Sequence, residues 1–239
     1  MSGWFALLGS GEFAEWTHEV DRWLLDRATG DGRVVVVPTA SSPEGDAVFD
    51  DWASRGLAHY AAAGIPVEVL PVRDRVDADD AAMVAQLGNA SIIFFSGGNP
   101  AYLARTLADT ALWLAVKRGL DRGMAYAGCS AGIASLGQMA PDSTVSHLDE
   151  SLWQPGLALF PNAWFGPHWN ALDRYAPGLT ERFAASVPEG QLLVGVDEDT
   201  AMVGDGKSWR VLGRSGVHVR ESAAWSTHAS GSTFTATLT

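Results

Sequence analysis

The chain has 239 residues, 47% of them hydrophobic, which is enough apolar side chain to bury the core of one α/β domain spanning 1–239. A formal charge of −12 argues against nucleic acid and against an anionic membrane surface as partners. A single cysteine forms no internal disulfide and no zinc cluster, which fits a reducing, cytoplasmic setting.

The first residues, MSGWFALLGSGEF, lack a basic leader region, so no signal peptide is read. No stretch approaches the ~20 apolar residues of a membrane-spanning helix. The run WFALLG at 4–9 opens a series of short β-branched or aromatic runs: RVVVVPTA at 33–40, VEVLPV at 67–72, SIIFFSGG at 91–98 and AYAGCSAG at 125–132. Continuous runs of this length suit strands buried on both faces of a parallel sheet. Amphipathic stretches of helical length lie between or after them, at 12–28, 44–63, 77–87, 100–122 and 131–138. In the first, Trp16, Val20, Trp23 and Leu24 alternate with charges. Strand–helix alternation predicts a doubly wound, mostly parallel α/β sheet with flanking helices.

The C-terminal third reads differently. Gly204-Asp205-Gly206 marks a hairpin, and a further strand pair is expected around Gly213 and Gly216, together forming an antiparallel addition at one sheet edge. The polar, Thr-rich end THASGSTFTATLT fits either a frayed end or a short edge strand.

Ligands of open parallel sheets bind beyond the carboxyl ends of the strands. Two such ends are glycine-rich: Ser96-Gly97-Gly98-Asn99 and Gly128-Cys129-Ser130-Ala131-Gly132. The second has the strand–turn–helix setting of a G-x-S-x-G elbow, in which the central residue is exposed at a helix N-terminus. That residue is Ser130. Cys129 falls one place early and is expected in the packed interior. The Ala131 N–H and an N–H of the SGGN turn are then placed to hold an oxyanion.

A nucleophile of this kind needs a base. Of the six histidines, His18 and His59 fall on amphipathic helices, His147 in a polar loop, and His218 and His228 in the tail. His168 closes the strand-like run LALFPNAWFGPHW among aromatics, a setting suited to a neutral base. The base in turn needs an orienting acceptor, and VGVDEDTAMV offers Asp197, Glu198 and Asp199. Spacing alone does not choose, although alternation sends Asp197 and Asp199 one way and Glu198 the other.

Taken together, VPTASS at 37–42, FFSGGN at 94–99, GCSAG at 128–132, LALFPNAWFGPHW at 157–169 and GVDEDTAMV at 195–203 resemble the dipeptidase E and cyanophycinase family of serine peptidases, family S51. The resemblance implies a fold like class I glutamine amidotransferases, with Ser130 as nucleophile, His168 as general base and Glu198 as the triad carboxylate. It implies Gly98 and Ala131 as oxyanion donors, and Asp142 as the rival acid. It implies no metal or organic cofactor, and the sequence shows no ligand cluster that asks for one.

The activity so implied is hydrolysis of short peptides, aspartyl dipeptides among them, through an acyl-enzyme. Asn99 and Arg174 are the candidate substrate contacts, with Arg182 second to Arg174. The same triad would serve another amide or ester, and a binding domain that kept the elbow without its chemistry is the reading from outside enzymology. The family and the tryptophans make a homodimer plausible.

Overall fold

A computed structural model describes residues 3–145 and 150–238; the loop histidine at position 147 lies outside them. Five strands follow the five apolar runs: β1 (Trp4–Leu8), β2 (Val34–Val37), β3 (Val67–Val69), β4 (Ile92–Phe95) and β5 (Ala125–Cys129). They pair in parallel in the order β3-β2-β4-β5-β1. Side chains alternate between two cores. Phe5, Leu7, Val35, Val37, Ile93, Phe95 and Tyr126 fill one face, and Ala6, Leu8, Val34, Val36, Ile92, Phe94 and Ala127 fill the other. Burial on both faces is why β1, β2, β4 and β5 read as unbroken apolar runs rather than as alternating ones, whereas the edge strand β3 exposes Glu68.

The helices are more segmented than their sequence periodicity predicts. The stretch 12–28 contains a 3-10 turn (Glu15–Thr17) and then α1 (His18–Leu25), and α2 (Asp46–Ala62) fills 44–63. The stretch 77–87 divides into α3 (Arg75–Asp79) and α4 (Ala81–Leu87). The break is at Asp80, which is extended, and its carboxylate caps α4 by accepting from the Ala82 and Met83 N–H groups. The stretch 100–122 divides into α5 (Pro100–Leu107) and α6 (Ala111–Asp121). The break is at Asp109, at φ 61°, followed by the N-cap Thr110. Beyond the elbow, α7 is a single turn (Ala131–Ala134). Among the described residues, no helix is long and apolar enough to cross a membrane.

The rest of the chain holds most of the antiparallel pairing. A small pair, β6 (Met139–Pro141) and β7 (Trp153–Pro155), precedes β8 (Ala163–Gly166). Two short helices, α8 (Leu172–Tyr175) and α9 (Leu179–Ser186), lead to β9 (Leu192–Val196), β10 (Thr200–Gly204), β11 (Ser208–Gly213), β12 (Gly216–Glu221), β13 (Ala224–Ala229) and β14 (Thr233–Thr235). The hairpin at Gly204-Asp205-Gly206 forms: β10 and β11 extend the main sheet antiparallel beside β1, and β14 closes that edge as a short strand.

The expected pairing across Gly213 and Gly216 does not form. Instead β12 pairs with β9 and β13, and β8 joins β9 in parallel, making a separate four-stranded sheet. The cause is a bent ribbon. β9 and β10 are consecutive lengths of one strand, β11 and β12 of its partner, and both cross between the sheets, at 197–199 and 214–215. Gly213 has φ 99°, and a side chain there would meet the Asp199 carbonyl, so this crossing takes glycine.

Candidate active site

The carboxyl ends of β1, β4 and β5 converge. At the elbow, Ser130 has φ 50° and ψ −106°, a conformation ordinarily left to glycine, and its N–H donates to the Leu8 carbonyl at 3.1 Å. Glycines on both sides make this possible. A Cβ at Gly128 would lie 2.6 Å from the Gly132 carbonyl, and one at Gly132 would lie 2.3 Å from the Phe95 carbonyl. The Tyr126 hydroxyl donates to that same Gly132 carbonyl at 2.6 Å and locks the turn. The Ser130 hydroxyl is left protruding at the start of α7.

His168 follows β8 in the left-handed region, at φ 53° and ψ 31°, with its N–H donating to the Gly9 carbonyl. The next residue, Trp169, wedges its ring against Gly166 and Gly195, where a Cβ would approach it to 2.6 Å and 2.4 Å. The imidazole is thereby aimed at the elbow. Its Nε2 lies 2.9 Å from Ser130 Oγ and its Nδ1 lies 3.1 Å from Glu198 Oε1. The side chains of His168 and Glu198 are only about a quarter and a third exposed.

The three consecutive carboxylates lie in the turn between β9 and β10, where Asp199 has φ 51°, and each meets a different partner. Asp197 is buried and accepts from the Ser215 hydroxyl (2.6 Å) and the Gly216 N–H (3.1 Å), with His218 Nε2 at 3.1 Å. Burial pushes the Asp197 carboxyl up, but the hydrogen bonds from His218, Ser215 and Gly216 outweigh it, and the carboxyl ends below its ordinary value. Asp199 faces Arg214 at 3.5 Å. Glu198 alone meets His168. Asp142, the rival acid, is spent elsewhere: it accepts from Asn99 Nδ2 (2.7 Å) and Thr144, and faces Arg105 at 3.7 Å.

Beyond β4, Gly98 has φ 137°, and a Cβ there would lie 2.3 Å from the Ala40 backbone. The Gly98 and Ala131 N–H groups meet no acceptor among the described residues. The other site candidates are partly engaged. Asn99 caps α5 by accepting from the Tyr102 N–H while its amide donates to Asp142. Arg174 is three-quarters exposed, and its guanidinium reaches Glu198 Oε2 at 3.4 Å.

Cys129 is buried as expected, but it has a polar partner. Its thiol donates to Glu12 Oε2 at 2.8 Å, while Glu12 Oε1 accepts from the Gly97 N–H at 2.9 Å. Burial first, and the Glu12 charge second, push the Cys129 thiol well up, so it stays protonated and unreactive beside the serine. Glu12 was not singled out from the sequence, nor was Asn170, whose side-chain Oδ1 accepts from the Glu198 N–H at 3.0 Å and helps place that residue. Glu12 belongs to the Gly9-Ser10-Gly11-Glu12 turn ending β1, a third glycine-rich strand end that the rule applied to 96–99 and 128–132 also covers.

Among the described residues, metal-type donors cluster in one place, where ligand atoms of His18, Asp21 and His59 lie within 4.8 Å of one another. Asp21 is already bound by His59 at 2.7 Å and by the Tyr60 hydroxyl at 3.0 Å, so this network serves to join α1 to α2.

The model of peptidase family S51 matches residues 5–212. The chain belongs to that family. Among the S51 relatives, a cyanophycinase of Synechococcus elongatus is 33% identical over 159 residues, 64% of this chain and 48% of that protein. One from Geminocystis herdmanii is 27% identical over 208 residues, 82% and 72% of the two chains. The chain thus spans about half the length of the first of these relatives. A crystal structure of a peptidase from an acI-B1 Actinobacterium superposes with a TM-score of 0.88 at 29% identity, over 98% of this chain and 97% of that one. A putative peptidase E from Listeria monocytogenes EGD-e shares the fold, with a TM-score of 0.64 at 19% identity, over 90% and 100% of the chains.

Proposed function

We propose that this S51 chain is a serine exopeptidase that hydrolyses short peptides through an acyl-enzyme. The reading is carried by one observation, the continuous relay from Ser130 Oγ to His168 Nε2 (2.9 Å) and from His168 Nδ1 to Glu198 Oε1 (3.1 Å). His168 takes the Ser130 proton as Oγ attacks the peptide carbonyl, and Glu198 stabilises the imidazolium that forms. The Gly98 and Ala131 N–H groups receive the oxyanion. His168 then returns the proton to the leaving amine, and water, deprotonated by the same imidazole, releases the acyl group.

Aspartyl dipeptides are the proposed substrates within this class. Arg174 keeps guanidinium donors beyond its Glu198 contact, and its exposure lets it meet a substrate carboxylate. Asn99 acts at one remove, holding the turn that carries Gly98.

The test is labelling of purified protein with a fluorophosphonate, read by intact mass and peptide mapping, followed by a dipeptide screen with aspartyl and non-aspartyl members. A single adduct on Ser130, lost in His168→Ala, together with turnover lost in Ser130→Ala, is the expected result. Hydrolysis that survives Ser130→Ala would overturn the mechanism.

A further inference from the structure

Among the described residues, Glu12 is the one carboxylate of this site that no cation answers. Glu198 has His168 and Arg174, and Asp142 has Arg105. The partners of Glu12 are two neutral donors, the Gly97 N–H and the Cys129 thiol, one on each of its oxygens. On its outer side Glu12 borders a hollow of about 540 Å³ shared with Phe13, Arg55 and His59. Arg55 is held there by Asp51 at 2.8 Å, and His59 by Asp21. A carboxylate oxygen has room for a second hydrogen bond, so both Glu12 oxygens retain accepting capacity.

Gly97 lies beside both Glu12 and the nucleophile. A Cβ at position 97 would start 3.0 Å from Glu12 Oε1 and 4.0 Å from Ser130 Oγ. Gly97 has none of the positive φ that makes Gly98 obligatory, so the close approach of Glu12 accounts for the missing side chain. The same two distances put Glu12 Oε1 no more than about 7 Å from Ser130 Oγ. When a peptide carbonyl carbon bonds to that oxygen, the α-nitrogen of the same residue lies ~3–4 Å from it. A charge-assisted N–H···O bond adds ~2.8 Å, which closes the remaining distance.

We propose that Glu12 is a specificity-determining residue that binds the free α-ammonium of the substrate's N-terminal residue. The inference rests on the exopeptidase reading above and deepens it: cleavage is confined to the first peptide bond because the acyl residue must bring an unblocked amine to Glu12. Peptides carrying a neutral amide at that position would leave the carboxylate unanswered.

The experiment compares dipeptides with Asp, Ala, Leu or Lys at the first position against their N-acetyl derivatives. In wild type the free-amine member of the best-cleaved pair is expected to have the higher kcat/KM by about ten- to hundredfold. In Glu12→Gln, whose amide oxygen still accepts from Gly97, the ratio between the two is expected to fall to within about threefold. Damage to the elbow or the oxyanion turn alone would depress both substrates together and leave the ratio intact, and that outcome overturns the proposal. So does a wild type indifferent to acetylation.

A second arm needs no turnover. Calorimetric binding of the same pairs to Ser130→Ala should favour the free amine, and Ser130→Ala with Glu12→Gln should not. If that preference is found while wild type cleaves none of the peptides, the acyl-transfer reading fails and the Glu12 assignment stands. If neither member of any pair binds, the assignment fails.

Discussion

The conformation of Ser130 makes a test in which the usual order of two substitutions reverses. In ordinary backbone, glycine is less stable than alanine by ~0.5–1 kcal/mol, because glycine has more freedom to lose on folding. Ser130 sits at φ 50° and ψ −106°, where any Cβ is strained, at a cost of ~1–3 kcal/mol. Ser130→Ala keeps the Cβ and its strain; Ser130→Gly removes both. Each variant loses the hydrogen bond to His168, so that contribution cancels between them. The glycine variant is therefore expected to be the more stable by about 1 kcal/mol, the strain relieved less the added entropy. For a chain of this size that is a difference of ~2–4 °C in Tm. Paired thermal and urea unfolding measures it, and both proteins should be inactive. An alanine variant as stable as the glycine variant, or more so, would refute the claim that the elbow stores strain.

Glu198→Gln removes the charge facing the imidazolium. At 3.1 Å that interaction is worth about 1 kcal/mol in water-like surroundings and about 5 kcal/mol at an effective dielectric near 20, so kcat should fall about ten- to a thousandfold in this partly buried setting. Asp142→Asn should cost at most a few-fold, and a Glu198→Gln enzyme within twofold of wild type would move the carboxylate role elsewhere. Gly195→Ala drives a Cβ to 2.4 Å from the Trp169 ring, which should lower stability by ~1–3 kcal/mol and reduce kcat by displacing His168, both visible in unfolding and steady-state kinetics. Asp197 has its folded-state carboxyl held below its ordinary value, so its contribution is present above the unfolded value of ~3.9 and lost as pH falls through the lower folded value. Asp197→Asn should accordingly flatten the acid limb of stability against pH, and an unchanged limb would place the contribution in other groups.

The parallel half of the fold was legible because four of its five strands, β1, β2, β4 and β5, are buried on both faces and announce themselves as short apolar runs. The edge strand β3 still reads as a β-branched run. The elbow was legible because its two flanking glycines stand where backbone meets backbone. The breaks at Asp80 and Asp109 were not, since the amphipathic period continues on either side of a single capping residue. Nor was the division of the C-terminal strands between two sheets. A run such as VHVR at 217–220 declares a strand but not its partner, and the ribbon's bend depends on contacts made at Asp197 and Asp199. Glu12 and Asn170 were silent for the same reason: the partners of Glu12 lie 85 and 117 residues away, and no local pattern marks them.

The two halves of the relay are mounted on different sheets. Ser130 ends a strand of the eight-stranded sheet, whereas His168 and Glu198 follow strands of the four-stranded one. They meet where Gly9 lies against the Asp197 backbone, so tightly that a Cβ at Gly9 would stand 2.1 Å from its carbonyl oxygen. Any molecule that grips Ser130 and His168 together is therefore a clasp between two bodies, and part of its binding free energy is spent on keeping them docked. A covalent inhibitor at Ser130 should slow amide hydrogen exchange in β12 and β13, strands it never touches, and so report the cohesion of the molecule from its catalytic end.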